Sequence, residues 1–102
     1  MLNELLKLLE NDPDNALLRY SIGSAFMKEG ELAQAKIHLA KAVELDPQYS
    51  AAWKLYGKAL QQSGDKELAE EILAQGIKVA TEKGDIQAAK EMQVFIKRLH
   101  KR

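Results

Sequence analysis

The sequence predicts an all-α fold, in which about six helices pair into antiparallel hairpins and stack side by side. Two observations predict it. Sliding the chain by 34 residues superposes Pro13 on Pro47, Gly23 on Gly57, Gly30 on Gly64, Ala35 on Ala69 and Leu39 on Leu73. The same shift places Leu5 on Leu39 and Asp12 on Asp46. Most of these matches fall on small and turn-forming residues, where close packing or special backbone angles restrict the choice, so the repeat is structural. The second observation is the apolar spacing inside each unit, which follows the 3.6-residue period of a helix.

Ala16 to Glu29 holds no proline and carries Leu18, Ile22, Ala25 and Phe26 before Gly30, a residue suited to the left-handed position past a helix end. Glu31 to Leu45 follows, with Leu32, Ala35, Leu39, Ala42 and Val43 in one stripe. Asp46-Pro47 stops it, because proline disfavours helix in the residue before it and cannot continue the ladder. In the second unit Ser50 is the expected N-cap of a helix through Gln62, and Asp65 that of the next. That next helix runs to about Lys83, since Thr81 stands where proline would end it.

These residues resemble the tetratricopeptide repeat, a 34-residue pattern of Trp-x2-Leu-Gly-x2-Tyr, then Ala-x3-Phe, then Pro. The second unit has Trp53, Tyr56, Gly57 and Leu60, then Ala69 and Leu73. The first has Arg19, Ile22, Gly23 and Phe26, then Ala35, Leu39 and Pro47. Departures are Arg19 in the tryptophan place, Tyr56 for leucine, Gly76 where a small alanine is usual, and Thr81 for proline. The resemblance implies a right-handed solenoid over 1–102: a half-repeat helix at 1–12, one repeat at 13–46, a second at 47–83 and a closing helix at 84–102. The last helix, about Ile86 to Lys101, sets Ala89, Met92, Phe95, Ile96 and Leu99 on one face. Such a closing helix keeps the end of the stack from being wet. The Trp53, Lys54, Gly57, Lys58 stretch and the closing run of Gln93, Val94, Phe95, Arg98 and Leu99 are similar to small stand-alone bacterial proteins of this family, a group with no assigned activity.

Composition excludes several functions. Lys plus Arg and Asp plus Glu are both 15, so the formal net charge is +0, unlike a protein built to coat nucleic acid or an anionic membrane. Cysteine is absent, which removes disulfides, thiolate catalysis and cysteine-ligated zinc. No apolar run spans a bilayer, and Glu4 and Lys7 interrupt any signal-peptide pattern, so a cytoplasmic location is expected. No phosphate loop, dinucleotide fingerprint, His-Glu-x-x-His or calcium loop is present, and His38 and His100 lie on different helices. Glu67, Glu70 and Glu71 share a face that reads as wetted surface. Neither catalysis, nor a cofactor, nor a metal is expected.

The family resemblance implies binding on the inside of the curve, where the first helix of each pair lines a groove for an extended peptide or a partner helix. The inward positions carry Leu17, Tyr20, Ser24, Met27 and Lys28 in one unit, and Ala51, Lys54, Lys58, Gln61 and Gln62 in the other. The expected groove is apolar and aromatic at Leu17, Tyr20 and Met27, and basic at Lys54 and Lys58. It would suit a partner with an aliphatic anchor and an acidic group. Two lysines four apart on a helix repel, which an interposed carboxylate would relieve; as solvated surface they need no ligand. Some members of the family clamp chaperone tails with a lysine and two asparagines, where this chain has Tyr20, Ser24 and Leu55, so no such clamp is expected. Two other binding classes arise. Residues 51–102 sum to +3 and end in Lys97, Arg98, His100, Lys101 and Arg102, a cluster short for nucleic acid and suited to offsetting a helix dipole. The leucines of the first helix (Leu2, Leu5, Leu6, Leu8, Leu9) cannot all face one neighbour, which makes self-association through the terminal helices the alternative reading and leaves a monomer or a weak homodimer as the expected state.

Overall fold

Six helices follow one another in the computed structural model, which describes residues 1–101: α1 (Leu2–Asn11), α2 (Ala16–Lys28), α3 (Leu32–Leu45), α4 (Ser50–Gln62), α5 (Lys66–Lys83) and α6 (Ile86–Leu99). No strand occurs among the described residues. Three of the turns share one design. Gly30, Gly64 and Gly84 adopt φ of 74°, 84° and 82°, a region open to glycine at no steric cost. The following N–H groups of Glu31, Asp65 and Asp85 donate back to the carbonyls of Phe26, Leu60 and Ala80 at 2.8–2.9 Å. This double-bonded C-terminal cap closes α2, α4 and α5 alike.

Sequence expectation and structure differ at two N-termini. Ser50 does not cap α4: Tyr49 is the capping residue, and Ser50 is the first helical residue, buried, with its Oγ donating to Asp85 Oδ2 at 2.7 Å. Asp65 occupies the N-cap place of α5 without a side-chain cap bond. The side chains that do cap are Asn15, accepting from Leu18 N at 2.8 Å, and Asp85, accepting from Ala88 N at 3.3 Å. Helix α6 ends at Leu99, two residues short of the sequence reading.

Helix pairs close tightly because small residues face large ones. A Cβ on Gly23 would lie 2.6 Å from Leu39 Cγ, so only glycine lets α2 sit this close to α3. Gly57 stands against Leu73 in the same way. Gly76, where the family pattern expects alanine, lies between Trp53 and Met92, and its absent side chain admits both. The core then runs as a chain of clusters: Ala35, Leu39 and Ala59; Ala42, Val43 and Ala52; and a larger one holding Leu60, Leu73, Ala80 and Met92. Helices α3 and α5 each bury five residues between neighbours on two sides. Among the described helices, α1 packs on α2 alone, and it has no fully buried residue.

Candidate functional site

Helices α2 and α4 lie side by side and contribute the inward surface. Ser24, Met27 and Lys28 of α2 face Leu55, Lys58 and Gln62 of α4 across a shallow hollow of about 330 Å³. Met27 and Leu55 are half-buried and pack on Ala35, Leu39 and Ala59, which gives the floor a rigid apolar support. Lys28, Lys58 and Gln62 are exposed around it. Among the described residues neither Lys28 nor Lys58 has an ion-pair partner. The hollow thus offers an apolar floor with a cation on each helix.

The remaining groove candidates lie elsewhere. Lys54 is not a free cation: its Nζ sits 2.7 Å from Glu91 Oε1 on α6, which holds the Glu91 carboxyl below the usual carboxylate range. Lys54 therefore belongs to a second hollow, about 250 Å³, shared with Val94, Phe95 and Arg98, and the expected Lys54–Lys58 pair is split. Tyr20 is a wall. Its ring lies 5.0 Å from that of Tyr49 and packs near Ala42, Val43 and Ala52. Burial, with Tyr20 and Asp46 nearby, pushes the Tyr49 hydroxyl above its ordinary value. Leu17 is 65% exposed and lines a separate hollow with Leu5 and Leu8 of α1. Ala51 and Gln61 are half-buried and line none of these. The sequence reading placed Leu55 only at an absent clamp position and not among the groove residues; the signal for the groove is the i, i+3, i+7 spacing of Leu55, Lys58 and Gln62.

Several other polar groups are occupied within the fold. Arg19, in the tryptophan place, donates to both oxygens of Asp14 (2.9 and 3.0 Å) and lies 3.1 Å from His38 Nδ1. A guanidinium only donates, so His38 accepts there in its neutral form. Trp53, the matching residue of the next unit, donates its Nε1–H to Pro47 O at 2.9 Å, so either residue ties its helix to the preceding loop. His38 is buried and stacked on Phe26 with centroids 5.5 Å apart. Burial, and then the Arg19 charge, lower its pKa below 6.5. His100 lies 3.0 Å from Glu70, and Arg98 sits over the Phe95 ring at 5.9 Å, which draws two members of the C-terminal basic cluster onto the protein itself. Among the described residues no group of three His, Asp or Glu side chains converges as a metal site would, and no helix is long and apolar enough to cross a membrane.

Stacked hairpins, glycines at helix crossings and an inward face of alternate helices define a helical-repeat protein. A tetratricopeptide repeat profile matches residues 26–92, and the chain belongs to the tetratricopeptide repeat family. A repeat-containing protein of Pseudomonas aeruginosa is 46% identical over 99 residues, covering 97% of this chain and 94% of that one. The solution structure of a Bordetella parapertussis protein superposes with a TM-score of 0.85 at 38% identity, covering 97% of this chain and 86% of that chain. The second tetratricopeptide domain of human RPAP3, solved in complex with the HSP70 peptide SGPTIEEVD, shares the fold with a TM-score of 0.81 at 24% identity, covering 99% of this chain and 79% of that one. The fold generally mediates protein–protein interaction.

Proposed function

We propose that this chain is a small cytoplasmic adaptor that works by binding and not by catalysis. Its hollow between α2 and α4 takes a peptide or partner helix that lays an aliphatic side chain on Met27 and Leu55 and a carboxylate against Lys58 or Lys28. The observation behind this reading is the pairing of an apolar floor with two cations that have no protein partner among the described residues. A cation left free at the rim of a hydrophobic hollow raises the association rate of an acidic partner and fixes its register. Lys54, which the sequence placed in the same role, contributes less because Glu91 already neutralises it. Tyr20 lies outside this hollow, on the side of α2 that faces α1.

A pull-down from native extract with wild-type protein and a Met27→Glu/Lys58→Glu variant tests the proposal. Partners retained by wild type and lost by the variant, with the helical circular-dichroism signal unchanged, support it. Equal recovery by both proteins would sink it.

A further inference from the structure

We infer that α6 does more than close the stack: it carries a second subsite for the same acidic partner, with Arg98 as the specificity-determining residue. The inference rests on the binding proposed for the α2–α4 hollow and extends it across α4. Helix α4 packs against α6 as well as against α2. The hollow between α4 and α6, about 250 Å³, is lined by Lys54, Glu91, Val94, Phe95 and Arg98. Its floor is apolar. Val94 is 44% exposed, and Phe95 is half-buried on the cluster that holds Leu60, Leu73 and Met92. Glu91, Val94 and Arg98 have the same i, i+3, i+7 spacing as Leu55, Lys58 and Gln62, so each of the two helices presents one stripe to its hollow.

The charges lining this hollow do not cancel. Lys54 and Glu91 neutralise each other at 2.7 Å, and Gln87 also bonds to the Glu91 carboxyl. Asp85, whose carboxyl feels Lys54 from outside the hollow, is held by Ser50 and the Ala88 amide. Arg98 is left over: it is exposed and has no ion-pair partner among the described residues. Its guanidinium lies over the Phe95 ring, 5.9 Å from the centroid. A guanidinium stacked on a ring keeps its edge donors free, and its planar fork loses little freedom when a carboxylate docks on two of them. The hollow therefore takes one carboxylate at Arg98 and one aliphatic side chain on Val94 and Phe95. Packed helices lie about 8–10 Å apart, so the two hollows flanking α4 are separated by roughly that step. A polyproline-type segment rises about 3.1 Å per residue and presents the same face every third residue. The matching partner is an extended segment with two acid–aliphatic pairs three residues apart, one for each hollow.

The probe is acetyl-Leu-Glu-Pro-Leu-Glu-Pro-amide, titrated into 15N-labelled protein beside a control peptide in which Ala-Gln replaces one Leu-Glu pair. The expected result is saturable shift changes at Leu55 and Lys58 together with Val94, Phe95 and the Arg98 side-chain N–H. The two-pair peptide should bind about tenfold more tightly than the control, since its second pair docks intramolecularly. Arg98→Ala should bring its affinity down to that of the control. Lys97→Ala removes an equal charge from α6 outside the hollow and should leave both affinities unchanged. Val94→Glu, at an exposed position, should act as Arg98→Ala does, which guards against a fold defect in either variant. Equal affinity for the two peptides, with shifts confined to Met27, Leu55 and Lys58, overturns the inference and leaves the α2–α4 reading standing. An equal loss in Lys97→Ala and Arg98→Ala also overturns it, by making the general positive field of α6 responsible. No shifts with either peptide at about 1 mM would overturn the inference and the α2–α4 reading together.

Discussion

The hydroxyl of Ser50 donates to Asp85 Oδ2 at 2.7 Å, joining the first residue of α4 to the residue that caps α6. With one carboxylate oxygen, Oδ1, Asp85 receives the Ala88 amide, and with the other it receives a neighbouring layer. Lys83 adds a second staple over the same gap by donating to the Gln48 carbonyl at 2.8 Å. Ser50→Ala removes a part-buried bond to a charged acceptor and should lower Tm by a few degrees, and amide exchange should quicken first in α6. An unchanged melting curve would show that the staple contributes nothing. Since the Ser50 bond, then the Ala88 amide, hold the Asp85 carboxyl below 3.8, its contribution is present above that value and lost as pH falls through the folded-state pKa.

Gly23→Ala should destabilise the fold although alanine is the better helix former. The new Cβ would meet Leu39 Cγ at 2.6 Å, and Leu39 is fully enclosed. Overpacking of this kind costs about 1–3 kcal/mol, against a gain of about 1 kcal/mol in helix propensity. Urea denaturation should therefore register a net loss of about 1 kcal/mol. Combining Gly23→Ala with Leu39→Ala should give less than the sum of the single effects, since the second change removes the clash that the first creates.

Stability should also fall between neutral pH and about pH 5, above the range in which carboxylates titrate. Burial and the Arg19 charge lower the His38 pKa, so the unfolded chain takes up a proton that the folded chain refuses. This contribution is complete above the ordinary value of 6.5, declines as pH drops below it, and levels off once folded His38 protonates as well. Urea unfolding at pH 7, 6 and 5 measures the slope. His38→Gln keeps an acceptor for Arg19 and should flatten it; an equal slope in that variant would place the proton elsewhere.

The HSP70 peptide SGPTIEEVD, bound by the human RPAP3 domain, should not bind this chain with micromolar affinity, because Tyr20, Ser24 and Leu55 stand where the clamp's lysine and asparagines belong. Fluorescence anisotropy with labelled peptide decides it. Saturation at micromolar protein would mean that Lys28 and Lys58 suffice as a clamp.

Most of the helical layout could be read from the chain, because the residues that end helices act locally. The Gly30 turn and its repeat at Gly64 were visible without coordinates, and α2, α3, α4 and α5 begin and end within a residue of the sequence reading. What escaped was contact between layers. Ser50 looks like a cap because serine often is one, yet its partner is 35 residues away. Lys54 looked free because Glu91 lies 37 residues on, and no local pattern announces an ion pair across helices. Arg19 looked like a defect in the repeat until Asp14 and His38 were seen around it. Leu55 was read only as a missing clamp residue: family inward positions drew attention to its neighbour Lys54, while Leu55 shares the hollow with Met27.

Gly76, held between Trp53 and Met92, leaves the closing helix no slack where it meets the second unit. Anyone lengthening this array by inserting copied hairpins would have to carry Gly76, Trp53 and Met92 over together, since the family's usual alanine at that place would press on both neighbours.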